Sequence, residues 1–139
     1  MGNRARIKDY SDLDLDFIAH PTTKDVVKKT GVDAIKRSVR NLIFTNFYDR
    51  PFRSWIGSNA RKMLFENVNP MTASYLKGFI IETIENLEPR VKLYSETGIP
   101  DGVMVKFNPD NNGYEATIAF TVVNTNEPAV ISLFLERLR

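Results

Sequence analysis

The sequence contains no cysteine among its 139 residues. Disulfide bonds, thiolate metal sites and a cysteine nucleophile are therefore excluded. Histidine occurs once, at His20 directly before Pro21, so neither a two-histidine metal site nor a conventional serine triad can be assembled. The first ten residues lack an apolar signal segment, and no apolar run reaches membrane-spanning length. We expect a protein that is made in a cytoplasm or reaches its site by assembly, with no membrane contact.

The composition is that of one globular domain, with 42% hydrophobic and 26% charged residues. We divide the chain into an N-terminal arm or strand, residues 1–24, and a single domain, residues 25–139. The net charge is only +2, but residues 28–62 hold nine basic side chains against two acidic ones. Such a patch suits an acidic protein surface or nucleic acid. Because no nucleic-acid-binding motif accompanies it, direct nucleic-acid binding is not expected.

Three aspartates alternate with apolar residues in the arm, between Asp12 and Phe17. This period of two is typical of an extended segment with one apolar side. A calcium loop also begins with alternating aspartates, but its glycine and its distal glutamate are missing here. The pattern therefore predicts a strand or docking arm, and no metal site.

Apolar residues at spacings of three and four predict two long helices. The first follows Gly31, and its apolar positions are Val32, Ile35, Val39, Leu42 and Ile43. The second begins near Pro70 with Thr72 as candidate cap, and Pro89 ends it because proline cannot continue a helix. Between them we predict an aromatic-rich loop at residues 49–57, packed on the core, and a short helix at about residues 59–66.

After Pro89 the apolar period changes to two, which predicts three or four short strands. The turn-rich residues 108–113, Asn-Pro-Asp-Asn-Asn-Gly, predict an antiparallel hairpin between two of them. The predicted fold is α+β, with two main helices packed on one face of a small, mainly antiparallel sheet. Such a sheet has edge strands, and an open edge can accept a strand from a partner.

Hydrolysis by two carboxylates needs an acid and a base facing one cleft. The candidates are Glu66, Glu82, Glu85 and Glu88, but none has an evident apolar pocket that would raise its pKa, so no catalytic residue is assigned. The segment Glu88-Pro89-Arg90 places opposite charges around a rigid proline. It is either a partner contact or a helix stop with a surface ion pair worth less than about 1 kcal/mol. The residues alone leave both interpretations open.

Four stretches together resemble a known family. They are Val32-x-x-Ile-Lys-Arg-Ser-Val-x-Asn-Leu42, Asp49-Arg-Pro-Phe52 with Gly57, Leu64-Phe-Glu66, and Glu88-Pro-Arg90. Their order and spacing, over about residues 25–125, are similar to the small baseplate wedge family of T-even-type contractile-tailed phages, long labelled lysozyme-like. Relatives of that family include baseplate components of type VI secretion and other contractile injection systems. The family's glycine-containing turn after the first helix is replaced here by residues 46–48, Asn-Phe-Tyr.

The resemblance implies a virion protein of the tail baseplate, assembled in the host cytoplasm. It implies a structural role, in which the chain joins the inner wedge core bundle and templates the first sheath ring. The implied partners are other wedge proteins, the tail sheath subunit and the tail tube or hub, with no cofactor. Glu88, Pro89 and Arg90 would engage the core bundle, whereas Arg50, Pro51 and Phe52 would be architectural. The alternatives are a cell-wall muramidase of the baseplate, or the equivalent component of a bacterial injection system.

Overall fold

Two long helices and a four-stranded antiparallel sheet form the body of the protein, as the sequence predicts. The computed structural model describes residues 10–13, 18–26, 28–94 and 98–139. The elements are β1 Ser11–Leu13, β2 Lys28–Thr30, α1 Gly31–Phe44, α2 Ala60–Met63, α3 Pro70–Leu87, β3 Val91–Leu93, β4 Val103–Asn108, β5 Gly113–Val122 and β6 Pro128–Glu136. The predicted helix at residues 59–66 is thus only one turn long as an α-helix.

Helix α1 turns its predicted apolar stripe into the core. Ile35, Val39 and Ile43 are fully buried, while the four charged residues of the helix, Asp33, Lys36, Arg37 and Arg40, lie outside this stripe. The spacing of three and four residues puts these side chains on one side of the helix. The apolar side therefore covers the sheet, and the cationic side faces outward.

Helix α3 begins one residue after its cap, Asn69, whose side-chain oxygen accepts a hydrogen bond from the Thr72 backbone N–H at 2.8 Å. The prediction that Thr72 is the cap is wrong, because Pro70 already occupies the first helical turn and Thr72 is buried within it. Leu76, Ile80 and Ile84 form the buried stripe of this helix. The helix ends at Leu87, before Pro89, as predicted.

Strand β5 is the centre of the sheet. It pairs along nearly its whole length with β6 on one side, and with β4 and then β3 on the other. Side chains at its even positions are buried beneath the helices, and they are Tyr114, Ala116, Ile118, Phe120 and Val122. The β4–β5 hairpin turns where the sequence predicts. The α+β fold is therefore confirmed.

In the N-terminal arm, β1 pairs antiparallel with β2. The predicted extended segment is confirmed for residues 11–13, and its continuation at residues 14–17 lies outside the described residues. The boundary at residue 24 stays a prediction. No helix in the described part of the chain is both long enough and apolar enough to cross a membrane.

Candidate partner-binding site

The segment Glu88-Pro89-Arg90, named here the charged turn, joins α3 to β3. The Glu88 side chain is only 3% exposed, and it accepts hydrogen bonds at Oε1 from Arg90 Nε and at Oε2 from Arg90 Nη2, the latter at 2.7 Å. Ser38, on α1, donates to Glu88 Oε2 at 2.6 Å and accepts from Arg90 Nη2 at 2.8 Å. The charged turn therefore ties α1 to the junction of α3 and β3.

The ion pair is not the ordinary surface pair that the sequence left open, because its carboxylate is buried. Arg90 itself is 29% exposed on its side chain, and its guanidinium lies 5.2 Å from the centre of the Tyr10 ring. Pro89 is exposed. A partner approaching the charged turn thus meets Pro89 and the outer part of Arg90, while Glu88 faces inward and holds the arginine in place.

Two opposing effects set the pKa of Glu88. Burial by itself raises this pKa, but the hydrogen bonds from Arg90 and Ser38 and the arginine's charge together lower it below its ordinary value. The hydrogen bond to Glu88 raises the pKa of Arg90, against the effect of burial. Both groups therefore stay ionised, which is the opposite of what a general acid requires.

Residues 45–58, named here the aromatic loop, connect α1 to α2. The sequence predicted that residues 49–57 of this loop pack on the core, and for Phe52 and Trp55 this is wrong. Tyr48 is 83% exposed, Phe52 98% and Trp55 63%. The loop closes on its own backbone, with a parallel bridge between Asn46 and Ser58 at its base. A loop closed in this way leaves its side chains free for a partner.

The charged turn and the aromatic loop face each other across a groove of about 490 Å³. Arg50, Arg53 and Trp55 line it from the loop, and Pro89 and Arg90 from the turn. The fold thus brings together two predicted groups that lie about forty positions apart in the sequence. Phe52 and Pro51 lie at the exposed tip of the loop.

Sequence reasoning missed three residues of this site, namely Ser38, Arg53 and Trp55. Ser38 stands in the first of the family stretches, but nothing local links it to Glu88, because a serine on a helix is ordinary and the contact spans 50 positions. Arg53 and Trp55 did carry a signal. Trp, Tyr and Arg are the residue types that dominate binding energy at protein interfaces, and the loop holds all three within eight positions.

The candidate carboxylates do not converge. Glu66 and Glu85 are exposed, and Glu82 lines a separate pocket of only about 100 Å³. Glu88 is the one carboxylate among the side chains lining the larger groove. Among the described residues there is also no group of three side chains suited to hold a metal ion.

The outer edge of β6 is a second candidate contact surface. The Val122 N–H donates to the Glu127 carbonyl, and the Arg137 N–H donates to the Asn112 carbonyl. In an antiparallel pair, alternate residues of a strand bond to the neighbouring strand. These two bonds and the register show that Val130, Ser132 and Phe134 are the residues of β6 whose backbone N–H and C=O groups point away from β5. Within the described residues no strand pairs with that edge.

No family model matches the chain. Over 91 residues it is 34% identical to the baseplate wedge protein gp25 of Enterobacteria phage T4, an overlap of 66% of this chain and 68% of that protein. A solved structure described as a tail lysozyme from Geobacter sulfurreducens has 20% identity and a TM-score of 0.64, over 77% of this chain and 91% of that chain.

Two further solved structures are similar. A chain in the baseplate of the anti-feeding prophage has 18% identity and a TM-score of 0.54, covering 94% of this chain and 88% of that one. A chain in the post-contraction baseplate of pyocin R2 has 18% identity and a TM-score of 0.51, covering 90% and 98%. At these identities the solved structures show a common fold.

Proposed function

The chain belongs to the family of the baseplate wedge protein gp25 of Enterobacteria phage T4, and from this membership we propose that it joins the inner baseplate wedge to the first ring of the tail sheath. It is a structural component of a contractile tail baseplate and works in contact with other baseplate proteins.

The observation that carries the proposal is the open edge of β6. Within the described part of the chain, this nine-residue strand has no partner for the outward backbone donors and acceptors of Val130, Ser132 and Phe134. A groove of about 520 Å³ runs between this strand and α1, with Lys36 and Arg40 on its helical side. An extended segment of a sheath subunit would add here as a further strand, because strand addition satisfies the backbone groups of an open edge.

The charged turn is proposed as the contact with the wedge core bundle. Pro89 is exposed and rigid, and Arg90 is fixed by two hydrogen-bonded neighbours before any partner arrives. A side chain that is already ordered loses little entropy on binding. In this proposal Glu88 acts through Arg90 as a positioning residue, whereas Pro89 and Arg90 touch the partner.

We further propose that the chain catalyses no cell-wall hydrolysis. A muramidase needs two carboxylates across one cleft, and one of them must hold its proton near neutral pH. Glu88 is paired with Arg90, which lowers its pKa, and Glu66, Glu82 and Glu85 do not join it in its groove.

The test is complementation of particles that lack this chain, followed by electron microscopy. Ser132→Pro removes an outward-facing N–H from β6 without removing a bond to β5, and proline is tolerated in edge strands. Ser132→Ala, which keeps the N–H, is the matched control. We expect Ser132→Ala to restore sheathed tails, and Ser132→Pro to give baseplates without sheath. Normal sheath with Ser132→Pro would exclude β6 as the template, and normal tails without the chain would exclude the whole proposal.

A further inference from the structure

The aromatic loop exposes more aromatic surface than the fold requires. Tyr48, Phe52 and Trp55 are largely exposed and contribute little to the core. Several large exposed rings in one loop are unusual on a monomer. Tyr48 and Phe52 also have φ angles of +71° and +68°, a region that bulky residues rarely adopt. Residues held this way are concentrated at functional sites. The sequence interpretation of Arg50, Pro51 and Phe52 as architectural does not account for these features.

The backbone of the loop is fixed without help from these rings. The Tyr48 N–H donates to the Ser54 carbonyl at 3.0 Å, and the Ser58 N–H donates to the Thr45 carbonyl at 2.8 Å. Asp49 accepts a hydrogen bond at 2.9 Å from the Asn46 N–H, so its charge is turned toward the loop itself. A loop held in one shape by its own backbone presents its side chains ready to bind.

The loop also carries a positive charge that its surroundings do not neutralise. Arg50 and Arg53 are exposed and line the groove beside Arg90, and neither guanidinium has an ion-pair partner in the described part of the chain. Glu88, the carboxylate in that groove, is already bonded to Arg90 and Ser38. The groove therefore has a surplus of positive charge next to exposed rings.

We propose that the aromatic loop and the groove beside it bind an acidic segment of another baseplate protein. Apolar side chains of that segment would pack against Phe52 and Trp55, and its carboxylates would reach Arg50 and Arg53, whose planar guanidinium groups pair well with carboxylates. The inference rests on the proposed function, because the partner is one of the other wedge proteins. A protein partner is favoured over nucleic acid because the chain belongs to a family of baseplate wedge proteins, and because Pro51 and Phe52 at the tip offer an apolar contact of the kind found at protein interfaces.

The absence of cysteine makes the test direct. A dye placed at Asn111→Cys, in the exposed turn between β4 and β5, labels one site. Fluorescence anisotropy then measures binding to the wedge complex purified from particles that lack this chain. Two loop variants are compared with the wild type in this background, the charge reversal Arg50→Glu with Arg53→Glu, and the truncation Phe52→Ser with Trp55→Ser. The matched control reverses two exposed lysines that do not line the groove, Lys62→Glu with Lys106→Glu.

Each loop variant is expected to bind the wedge complex at least about tenfold more weakly, and the control to stay within about twofold. Circular dichroism establishes that every variant is folded. If the wild type binds and the folded loop variants bind equally well, the loop is not the contact, and the proposed function stands without it. If the wild type itself does not bind, the proposed function fails and the inference fails with it. Tighter binding of a short DNA duplex through Arg50 and Arg53, at about 0.15 M salt, would instead assign the loop to nucleic acid.

Discussion

The charged turn and the aromatic loop line the same groove but use their side chains in opposite ways. At the turn an ionised carboxylate is buried, with Glu88 bonded to Arg90 and Ser38. In the loop the rings of Phe52 and Trp55 are exposed, and backbone hydrogen bonds together with the Asp49 carboxylate keep the loop closed. A charged group is thus buried in the turn, whereas large apolar rings are exposed in the loop.

The difference separates residues that stabilise the fold from residues that are available to a partner. Burying a charge is costly unless it is paired, so Arg90 is needed by Glu88 whether or not a partner is present. An exposed ring does not prevent folding, but it adds little to the stability of the folded chain. Variants of the two regions should therefore differ first in their effect on stability.

The largest effect is expected from Arg90→Ala. This change leaves the Glu88 carboxylate buried without its cation, and breaking a buried pair on one side costs about 3 kcal/mol or more. Urea unfolding measures the loss. Arg53→Ala, which removes an exposed arginine from the opposite wall, should change stability by less than about 0.5 kcal/mol. If both changes reduced the stability equally, the charged turn and the aromatic loop would not differ in how much they stabilise the fold.

Stability should also depend on pH through Glu88. The folded pKa of this group lies below its ordinary value of 4.5, so the unfolded chain takes up the proton more readily. The stability that Glu88 contributes is therefore fully present above its ordinary pKa and is lost as the pH falls through the lowered pKa of the folded state. The stability difference between the wild type and Glu88→Gln should be constant above about pH 5 and shrink below it. A difference that grows as the pH falls would mean that folding raises this pKa.

A pair of glycine changes tests whether the backbone fixes the aromatic loop. At Gly57 a Cβ would lie 2.5 Å from the Asn46 carbonyl carbon and from the Phe47 nitrogen, so the base of the loop would have to shift. Gly57→Ala should destabilise the protein by about 2 kcal/mol, measured by urea unfolding. Gly78→Ala, within α3 and with no atom in the way, should stabilise it by about 0.5–1 kcal/mol. A harmless Gly57→Ala would show that the loop is not held at that point.

The sequence predicted the fold well because the helices and strands follow from the local spacing of apolar residues. The stripe of α1 and the even positions of β5 are both visible in the order of apolar residues. The cap of α3 was assigned three residues too late, because Asn69 and Thr72 are both suitable caps and only the geometry shows which side chain accepts the bond.

The candidate site was predicted less completely, for a physical reason. Glu88, Pro89 and Arg90 are neighbours in sequence, so their grouping could be read directly. Whether Glu88 faces water or Ser38 depends on how α1 crosses the end of α3, which no local pattern encodes. In the same way, aromatic residues in the loop predicted burial, because large apolar side chains usually are buried and the closure of the loop between Asn46 and Ser58 is a tertiary contact.

The smallest effect on stability is expected from Phe52→Ser, which replaces the most exposed ring of the aromatic loop. The ring is 98% exposed, so its removal should change the free energy of unfolding by less than about 0.5 kcal/mol, measured by urea unfolding. A loss greater than about 1 kcal/mol would mean that the ring packs on the chain and that Phe52 is architectural, as the family resemblance implies. A folded and equally stable Phe52→Ser protein leaves the large exposed ring without a role in the isolated chain. Its value would then have to come from what it contacts in the baseplate.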